Sequence, residues 1–216
     1  MALIQIPDEN NNFIGTDDDD LFNTTSDGPS TYFGLGGDDV FIVPLGGDTV
    51  DGGDGFDEID LPQISNTSQT IIRADRGFVI SGVPGEGKTF VVNVESFRTS
   101  STGAIPVLMI GDDADNRLET NNLGSFARGG AGNDQISLAR GGTAFGDDGN
   151  DSIRDGNLGT TPTYFDGGAG DDTLTIFSPS DDNILLGREG NDTLTSDEGA
   201  DRLFGGADDD TLFGNG

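Results

Sequence analysis

The chain contains no cysteine, no histidine and no tryptophan. Without cysteine, no disulfide can cross-link the fold. The lack of histidine removes the commonest general base and the usual zinc ligand. No apolar run approaches the roughly 20 residues of a membrane-spanning helix, and the N-terminal sequence MALIQIPDENNNF lacks the basic and apolar segments of a cleaved signal peptide. We therefore expect no membrane insertion and no cleaved N-terminal signal.

Positive charge is scarce, with 10 Lys and Arg residues against 40 Asp and Glu residues and a formal net charge of −30. Charge of this size opposes a compact state unless cations offset it. We expect no nucleic-acid partner, because binding phosphates needs a basic face. Only 32% of the residues are hydrophobic and 36 are glycine, so a large conventional core is not expected.

One nine-residue pattern, G-G-x-G-x-D-x-U-x with U a large apolar residue, recurs along the chain. It fits fully at residues 52–60, 129–137 and 167–175, and variants begin at residues 15, 34, 111, 146, 187 and 205. Unit starts within each block are 17 to 21 residues apart. Poorer copies fill alternate positions at 43–51 and 196–204, which indicates coils of two nonapeptides with one regular and one eroded side.

Each nonapeptide is expected to form a six-residue turn and then a short strand whose middle residue points inward. The sequence therefore predicts an all-β fold, a parallel β-roll (β-solenoid). The interior is too thin to offset the ordering of so many glycines, so the turns must stabilise the fold. The echoes S-T-Y-F (30–33) and P-T-Y-F (162–165) are interpreted as packing residues of the eroded side. The inward set is Phe41, Val50, Ile59, Ile136, Ile153, Leu174, Leu194, Leu203 and Leu212.

The turns offer a carboxylate and exposed carbonyl oxygens, which suit Ca²⁺ and its need for six to eight oxygen ligands. Stacked turns of one row could share an ion. Gly and Asp also favour turns in general, but that does not explain an Asp two residues before an apolar residue at one repeated phase. This Asp is the sixth residue of the repeat, and Asn116 replaces it in the copy that begins at residue 111. The sixth-position acids are Asp20, Asp39, Asp48, Asp57, Asp134, Asp151, Asp172, Asp192, Asp201 and Asp210.

The full matches resemble RTX, or haemolysin-type, calcium-binding repeats, over residues 15–60 and 111–213. The resemblance implies several Ca²⁺ ions between neighbouring turns, held by the carbonyls of positions one and three and the carboxylate of position six. Asp18, Ala114 and Asp208 depart from the family's glycine at position four, which indicates distorted turns. Besides the sixth-position acids, the implied ligands are Gly34, Gly36, Leu45, Gly52, Asp54, Gly129, Ala131, Gly146, Asp148, Gly167, Ala169, Gly187, Glu189, Glu198, Gly205 and Ala207.

Residues 61–110 lack the repeat and contain β-rich runs, so we interpret them as an irregular β-rich linking segment. It separates an N-terminal cap with the first repeat block (1–60) from a second block (111–216), which we expect to be truncated mid-repeat. Residues 82–89 match the phosphate-loop pattern G-x-x-x-x-G-K-T. That motif requires a following helix, whereas F-V-V-N-V at 90–94 favours a strand after a hairpin turn.

No nucleophile–base set is visible, so we expect the chain not to be an enzyme. Millimolar extracellular calcium fills weak sites that the cytosol leaves empty, which favours an extracellular or cell-surface location. The resemblance implies type I secretion. The sequence predicts a calcium-dependent folding structural module of a surface-layer, matrix or adhesin scaffold, partnered by copies of itself or by other surface components through end-to-end or lateral assembly. The alternative is an accessory RTX module of a secreted enzyme or toxin whose active domain lies outside this chain.

Overall fold

Short parallel strands, each preceded by a turn, make up the computed structural model of the protein, which describes residues 1–4, 7–23, 29–42, 47–61, 71–80, 89–99, 105–156, 161–178 and 182–215. The chain divides into two units, Met1–Ser101 and Thr102–Gly216. Apart from one 3-10 helix, every element of the described residues is a strand, so the predicted all-β parallel β-roll is confirmed. The predicted boundaries at residues 60 and 110 stay a prediction.

Unit 1 contains β1 (Ala2–Ile4), β2 (Asn12–Ile14), β3 (Asp20–Asn23), β4 (Thr31–Gly36), β5 (Val40–Ile42), β6 (Thr49–Asp54), β7 (Glu58–Leu61), β8 (Ile71–Arg73), the 3-10 helix (Ala74–Arg76), β9 (Phe78–Ile80), β10 (Thr89–Val92) and β11 (Ser96–Thr99). Strands β1, β3, β5, β7 and β11 form its sheet A, and β2, β4, β6, β10, β9 and β8 form its sheet B. Strands β10 and β11 pair parallel with β6 and β7, and β9 is antiparallel to both β8 and β10. The linking segment therefore adds one more coil and a hairpin to this roll.

Unit 2 contains β12 (Leu108–Ile110), β13 (Arg117–Thr120), β14 (Ser125–Ala131), β15 (Gln135–Leu138), β16 (Gly142–Asp148), β17 (Ser152–Asp155), β18 (Tyr164–Ala169), β19 (Thr173–Thr175), β20 (Ile184–Glu189), β21 (Thr193–Thr195), β22 (Arg202–Ala207) and β23 (Thr211–Phe213). The odd-numbered strands form its sheet A and the even-numbered strands its sheet B, each in sequence order. Each coil thus contributes one strand to each sheet.

Apolar residues stack in register inside sheet A. Ile136 pairs with Ile153, Ile153 with Leu174, and Leu174 with Leu194, and all four are at most 1% exposed. Since alternate residues of a strand point to opposite faces, their neighbours face outward. The predicted inward residues that are buried are Phe41, Val50, Ile59, Ile136, Ile153, Leu174 and Leu194.

Two predicted inward residues are less buried than expected. Leu203 is half-buried, and Leu212 is 44% exposed. Both lie in the last described coil, β22 and β23, at the end of the stack. Their strands keep the expected register, since Leu212 pairs with Leu194 and Leu203 with Leu185.

The inward position of sheet B lies two residues before the first glycine of each unit. Tyr32 precedes Gly34 in this way and is fully buried, with its ring stacked 4.8 Å from that of Phe13. Phe165 precedes Gly167 in the same way and is also fully buried. The two aromatic echoes therefore do pack inside the roll, but through different residues, Tyr32 in one and Phe165 in the other.

The described residues include no helix that is long and apolar enough to cross a membrane. Seven of the eight residues of the phosphate-loop match, 82–88, lie outside the described residues. The eighth, Thr89, begins strand β10 rather than a helix.

Glycines at the fourth turn position allow neighbouring coils to approach each other closely. Gly149 has φ of +131°, and a Cβ added to it would collide with the carbonyl oxygen of Gly132. Gly124 also has positive φ, at +62°, but nothing lies within 4 Å of the position of its Cβ. These two glycines form a matched pair, because only one of them adds a steric clash to the backbone strain.

We expect Gly149→Ala to lower the free energy of unfolding by about 3 kcal/mol or more, since it combines strain with overpacking against fixed backbone. Gly124→Ala should cost only about 1 kcal/mol. Denaturant unfolding in saturating calcium measures both losses. Equal losses in the two variants would contradict the close approach of neighbouring coils.

Candidate metal centres

The turns that lead from sheet B into sheet A form a row that we call the first edge. Seven sixth-position residues there donate their backbone N–H to a carboxylate oxygen, Oδ1, of the sixth-position Asp in the next coil. These N–H to Oδ1 distances are 2.7–3.0 Å. The bonds form a ladder along the stacked coils. Its donor and acceptor pairs are Asp20–Asp39, Asp39–Asp57, Asn116–Asp134, Asp134–Asp151, Asp151–Asp172, Asp172–Asp192 and Asp192–Asp210.

The second carboxylate oxygen of the ladder has no partner in most turns. Among the described residues of the first edge, Oδ2 is buried without a hydrogen bond in Asp39, Asp57, Asp134, Asp151, Asp172 and Asp192. Buried polar atoms of folded proteins nearly always have a partner, and an unpaired buried carboxylate is especially unfavourable. This repeated deficit indicates that a cation belongs at each of these turns.

The unpaired oxygen lies beside the first-position glycine of its own turn. A Cβ added to Gly129 would collide with Asp134 Oδ2 and lie 2.8 Å from the carbonyl oxygen of Gly146 in the next coil. Gly34, Gly52, Gly146 and Gly187 show the same arrangement, with the sixth-position oxygen of their own turn and a carbonyl oxygen of the following coil. Carboxylate and carbonyl oxygens of successive turns therefore face one cradle, which a side chain at position one would fill.

The third-position carbonyls are placed differently. Those of Ala169 and Glu189 accept backbone hydrogen bonds from Gly149 and Gly170 of the preceding coil, at 2.7 and 2.8 Å. These carbonyls link turns, and each keeps one further lone pair. The other predicted third-position residues of this edge, Gly36, Asp54, Ala131, Asp148 and Ala207, lie at the ends of strands that pair parallel with the neighbouring coil.

The turns that lead from sheet A into sheet B, the second edge, repeat the ladder only in part. Ser30 donates to Asp48 Oδ1 at 2.9 Å, and Asn183 donates to Asp201 Oδ1 at 3.1 Å. Asp201 Oδ2 is buried without a partner, as on the first edge. Glu198 is exposed, and Leu45 lies outside the described residues. The degraded nonapeptides of the sequence thus correspond to an incomplete hydrogen-bond ladder on the second edge.

Burial raises the pKa of the ladder carboxyls. It raises the pKa of Asp134 and Asp172 to about 7. The backbone N–H that donates to each carboxylate lowers its pKa, and nearby acidic side chains raise it further. The pKa values of Asp39, Asp57 and Asp151 rise to about 6 for the same leading reason. A bound cation would favour the charged form and reverse these shifts.

Acidic side chains do not cluster in threes to hold a metal anywhere among the described residues. Each cradle instead combines one carboxylate oxygen with backbone carbonyls, and the chain contains no Cys or His. Carboxylate and carbonyl oxygens are the ligands of hard cations such as Ca²⁺. The donor set therefore fits calcium and does not fit zinc or copper.

A model of the RTX calcium-binding nonapeptide repeat matches residues 164–175 and 180–216, in four copies. This part of the chain is an RTX calcium-binding repeat array. RTX repeats bind calcium ions, so Ca²⁺ is the ion of this repeat array. No curated protein matches the chain. The crystal structure of the extracellular lipase LipA from Serratia marcescens is similar at 23% identity and a TM-score of 0.35, over 86% of this chain. The chain spans 35% of that lipase.

Two kinds of residue in the ladders were not predicted. Glu95 accepts the N–H of Asp57 at 2.9 Å and so continues the ladder inside the linking segment; its spacing of two residues before the buried Phe97 was the signal for it. The fifth-position residues form a second ladder of opposite direction, for example from Asn191 N–H to Asp171 Oδ1 at 2.7 Å. Paired acids and asparagines before the apolar residue mark this second ladder in the sequence.

We expect Asp134→Asn to raise the calcium concentration at the folding midpoint, by about tenfold for the affected site, because one charged oxygen is lost. Asp113→Asn is the matched control, since Asp113 is exposed and lies outside the ladder. Calcium titration followed by circular dichroism measures the midpoint. Equal midpoints for the two variants would count against Asp134 as a ligand.

The raised pKa values also predict how pH acts on the calcium-free fold. Protonation of these carboxyls stabilises the calcium-free fold. This stabilisation is fully present below the ordinary carboxyl pKa of about 4 and is lost as pH rises through the raised pKa values of about 6 to 7. In calcium-free buffer we therefore expect more β signal by circular dichroism at about pH 5 than at about pH 8. In calcium the affinity should fall on acidification, because protons compete for the carboxylates. A calcium-free fold that weakens between pH 8 and pH 5 would contradict the burial of neutral carboxyls.

Proposed function

We propose that this chain is a structural module of a secreted or cell-surface protein, which folds when calcium binds to its turns. The observation that carries the proposal is the row of buried, unpartnered carboxylate oxygens on the first edge. The proposed ligands are the sixth-position carboxylates and the first-position carbonyls that face the same cradles, such as Asp134 with Gly146 and Asp39 with Gly52.

The energetic argument follows from like charges held in a row. Asp134, Asp151, Asp172 and Asp192 occupy successive coils, and each raises the pKa of a neighbour in the row or is raised by one. Without cations the ionised row repels itself in a poorly solvated place. Ions that bind only the stacked state convert their binding free energy into folding free energy. Folding would then await the calcium concentration outside the cell.

A scaffold role is supported by the two outward faces of unit 2. Sheet A presents stacked hydroxyl side chains, with Thr173 paired to Thr193 and Thr193 to Thr211. Sheet B presents aromatic side chains, with ring centroids of Phe126, Phe145 and Tyr164 spaced by 5.6 and 5.8 Å. We infer that such flat, regular faces serve lateral assembly with copies of the chain or other surface components, and that this chain is not itself catalytic.

The test is circular dichroism of the full chain during calcium titration, with magnesium as the control. We expect a cooperative gain of β signal with calcium alone, because Mg²⁺ demands stricter octahedral geometry and dehydrates reluctantly. A chelator should reverse the gain. A chain fully folded in EDTA at neutral pH would refute the proposal. Light scattering on the calcium-loaded chain separates the roles: assemblies support the scaffold, whereas monomers at all concentrations support an accessory module.

A further inference from the structure

Eight of the nine repeat turns of the first edge fall into two classes, according to what the side chain at position six meets. The ninth, 205–210 in the last described coil, has positive φ at Gly206 but an Asp210 that is only half-buried. In six of the eight turns, the second oxygen of the position-six side chain is buried without a partner, as described above. In the other two turns, 15–20 and 111–116, the backbone N–H of position two donates to a side-chain oxygen of position six, which is Oδ2 of Asp20 or the single side-chain oxygen of Asn116. Thr16 N–H donates to Asp20 Oδ2 at 2.6 Å, with Thr16 Oγ1 donating at 3.0 Å, and Asp112 N–H donates to Asn116 Oδ1 at 2.8 Å. We call these turns closed and the other six open.

The backbone at position two separates the same two classes. All six open turns have positive φ there, whereas Thr16 and Asp112 do not. The angle φ sets the direction of the preceding peptide plane relative to the rest of the turn. A residue with positive φ at position two therefore points its N–H away from the side chain at position six, and Thr16 and Asp112, without positive φ, point theirs at it. The position-two residues of the open turns are Leu35 (+82°), Gly53 (+106°), Gly130 (+124°), Asp147 (+79°), Gly168 (+115°) and Arg188 (+95°).

We propose that position two decides whether a turn binds calcium, an inference that rests on the calcium function proposed above. Open turns bind an ion through the freed oxygen. The closed turns at Asp20 and Asn116 satisfy that oxygen internally and bind none, although Asp20 matches the sequence pattern of a ligand. Each closed turn is the first described turn of the first edge in its unit, and it holds its shape without an ion.

Three open turns keep a left-handed residue other than glycine at position two. L-residues are strained in this conformation, so these turns should open less readily and bind calcium more weakly. Two of these residues form ion pairs with adjacent coils, Asp147 with Arg128 and Arg188 with Asp166. Leu35 is 48% exposed and carries no charge that could pair in this way. Its turn is thus the best place to measure the strain alone.

The first experiment counts bound calcium per full-length chain, by equilibrium dialysis and elemental analysis. The double variant Thr16→Gly with Asp18→Gly gives the first turn glycine at positions two and four, as in the complete repeats. We expect it to bind one more ion than the natural chain. The matched control, Thr16→Ala with Asp18→Ala, removes the same side chains but retains Cβ at both positions, and it should bind the natural number.

Asp20→Asn in the natural chain completes this experiment, and it should leave the ion count unchanged. An unchanged count in the glycine variant, or a loss of one ion in Asp20→Asn, would overturn the proposal. Either of these two contrary results would leave the proposed calcium function unaffected. If instead the natural chain binds no calcium at all, the function proposed above fails as well, so the two failures are distinguishable.

The second experiment compares Leu35→Gly with Leu35→Ala by calcium titration. Glycine relieves the left-handed strain, so Leu35→Gly should lower the calcium midpoint of the weakest site about fivefold. Leu35→Ala retains the strain and should change the midpoint little, because only an exposed side chain is shortened. Equal midpoints in the two variants would show that position two does not control the site.

Discussion

The structure depends on a row of buried aspartates whose two oxygens have different surroundings. In each open turn, Oδ1 of the sixth-position aspartate accepts a backbone N–H from the preceding coil, and Oδ2 faces a cradle beside a glycine. The first contact holds adjacent coils in register without an ion. The second needs a cation, because a buried carboxylate without a partner opposes folding. With the ligands proposed above, stacking and ion binding share one side chain, which couples them.

This coupling explains why so thin an interior suffices. Apart from the last, each coil buries only one or two apolar residues per sheet, such as Ile153 in sheet A and Ala144 in sheet B. Hydrophobic burial of that size stabilises each coil only modestly. The two ladders of positions five and six add directional contacts at every turn, and the ions offset the acidic charge. Stability is distributed along the stack, as expected when each repeat contacts mainly its neighbours.

The two aromatic echoes show how far local pattern predicts this fold. Both were interpreted as packing residues of the eroded side, and each packs inside the roll through one of its rings. Tyr32 and Phe165 are buried, whereas Tyr164 lies on the outward face and donates a hydrogen bond to Asp166 at 3.1 Å. One residue of offset from the following glycine reverses the side that an aromatic faces. The position of that glycine, not the aromatic motif, sets which residue points inward.

The sequence by itself determined the coil of two nonapeptides, the strand phase, the inward residues and the preference for a hard oxygen-binding cation, because each of these follows from spacing and residue chemistry within one repeat. Only the tertiary structure decided which carboxylate oxygens are free, that Glu95 joins the ladder, and that Asp20 and Asn116 lie in closed turns. The ladder contacts arise between coils 17 or more residues apart in sequence, and the closed turns depend on a backbone angle at position two. Neither is visible in a nonapeptide read alone.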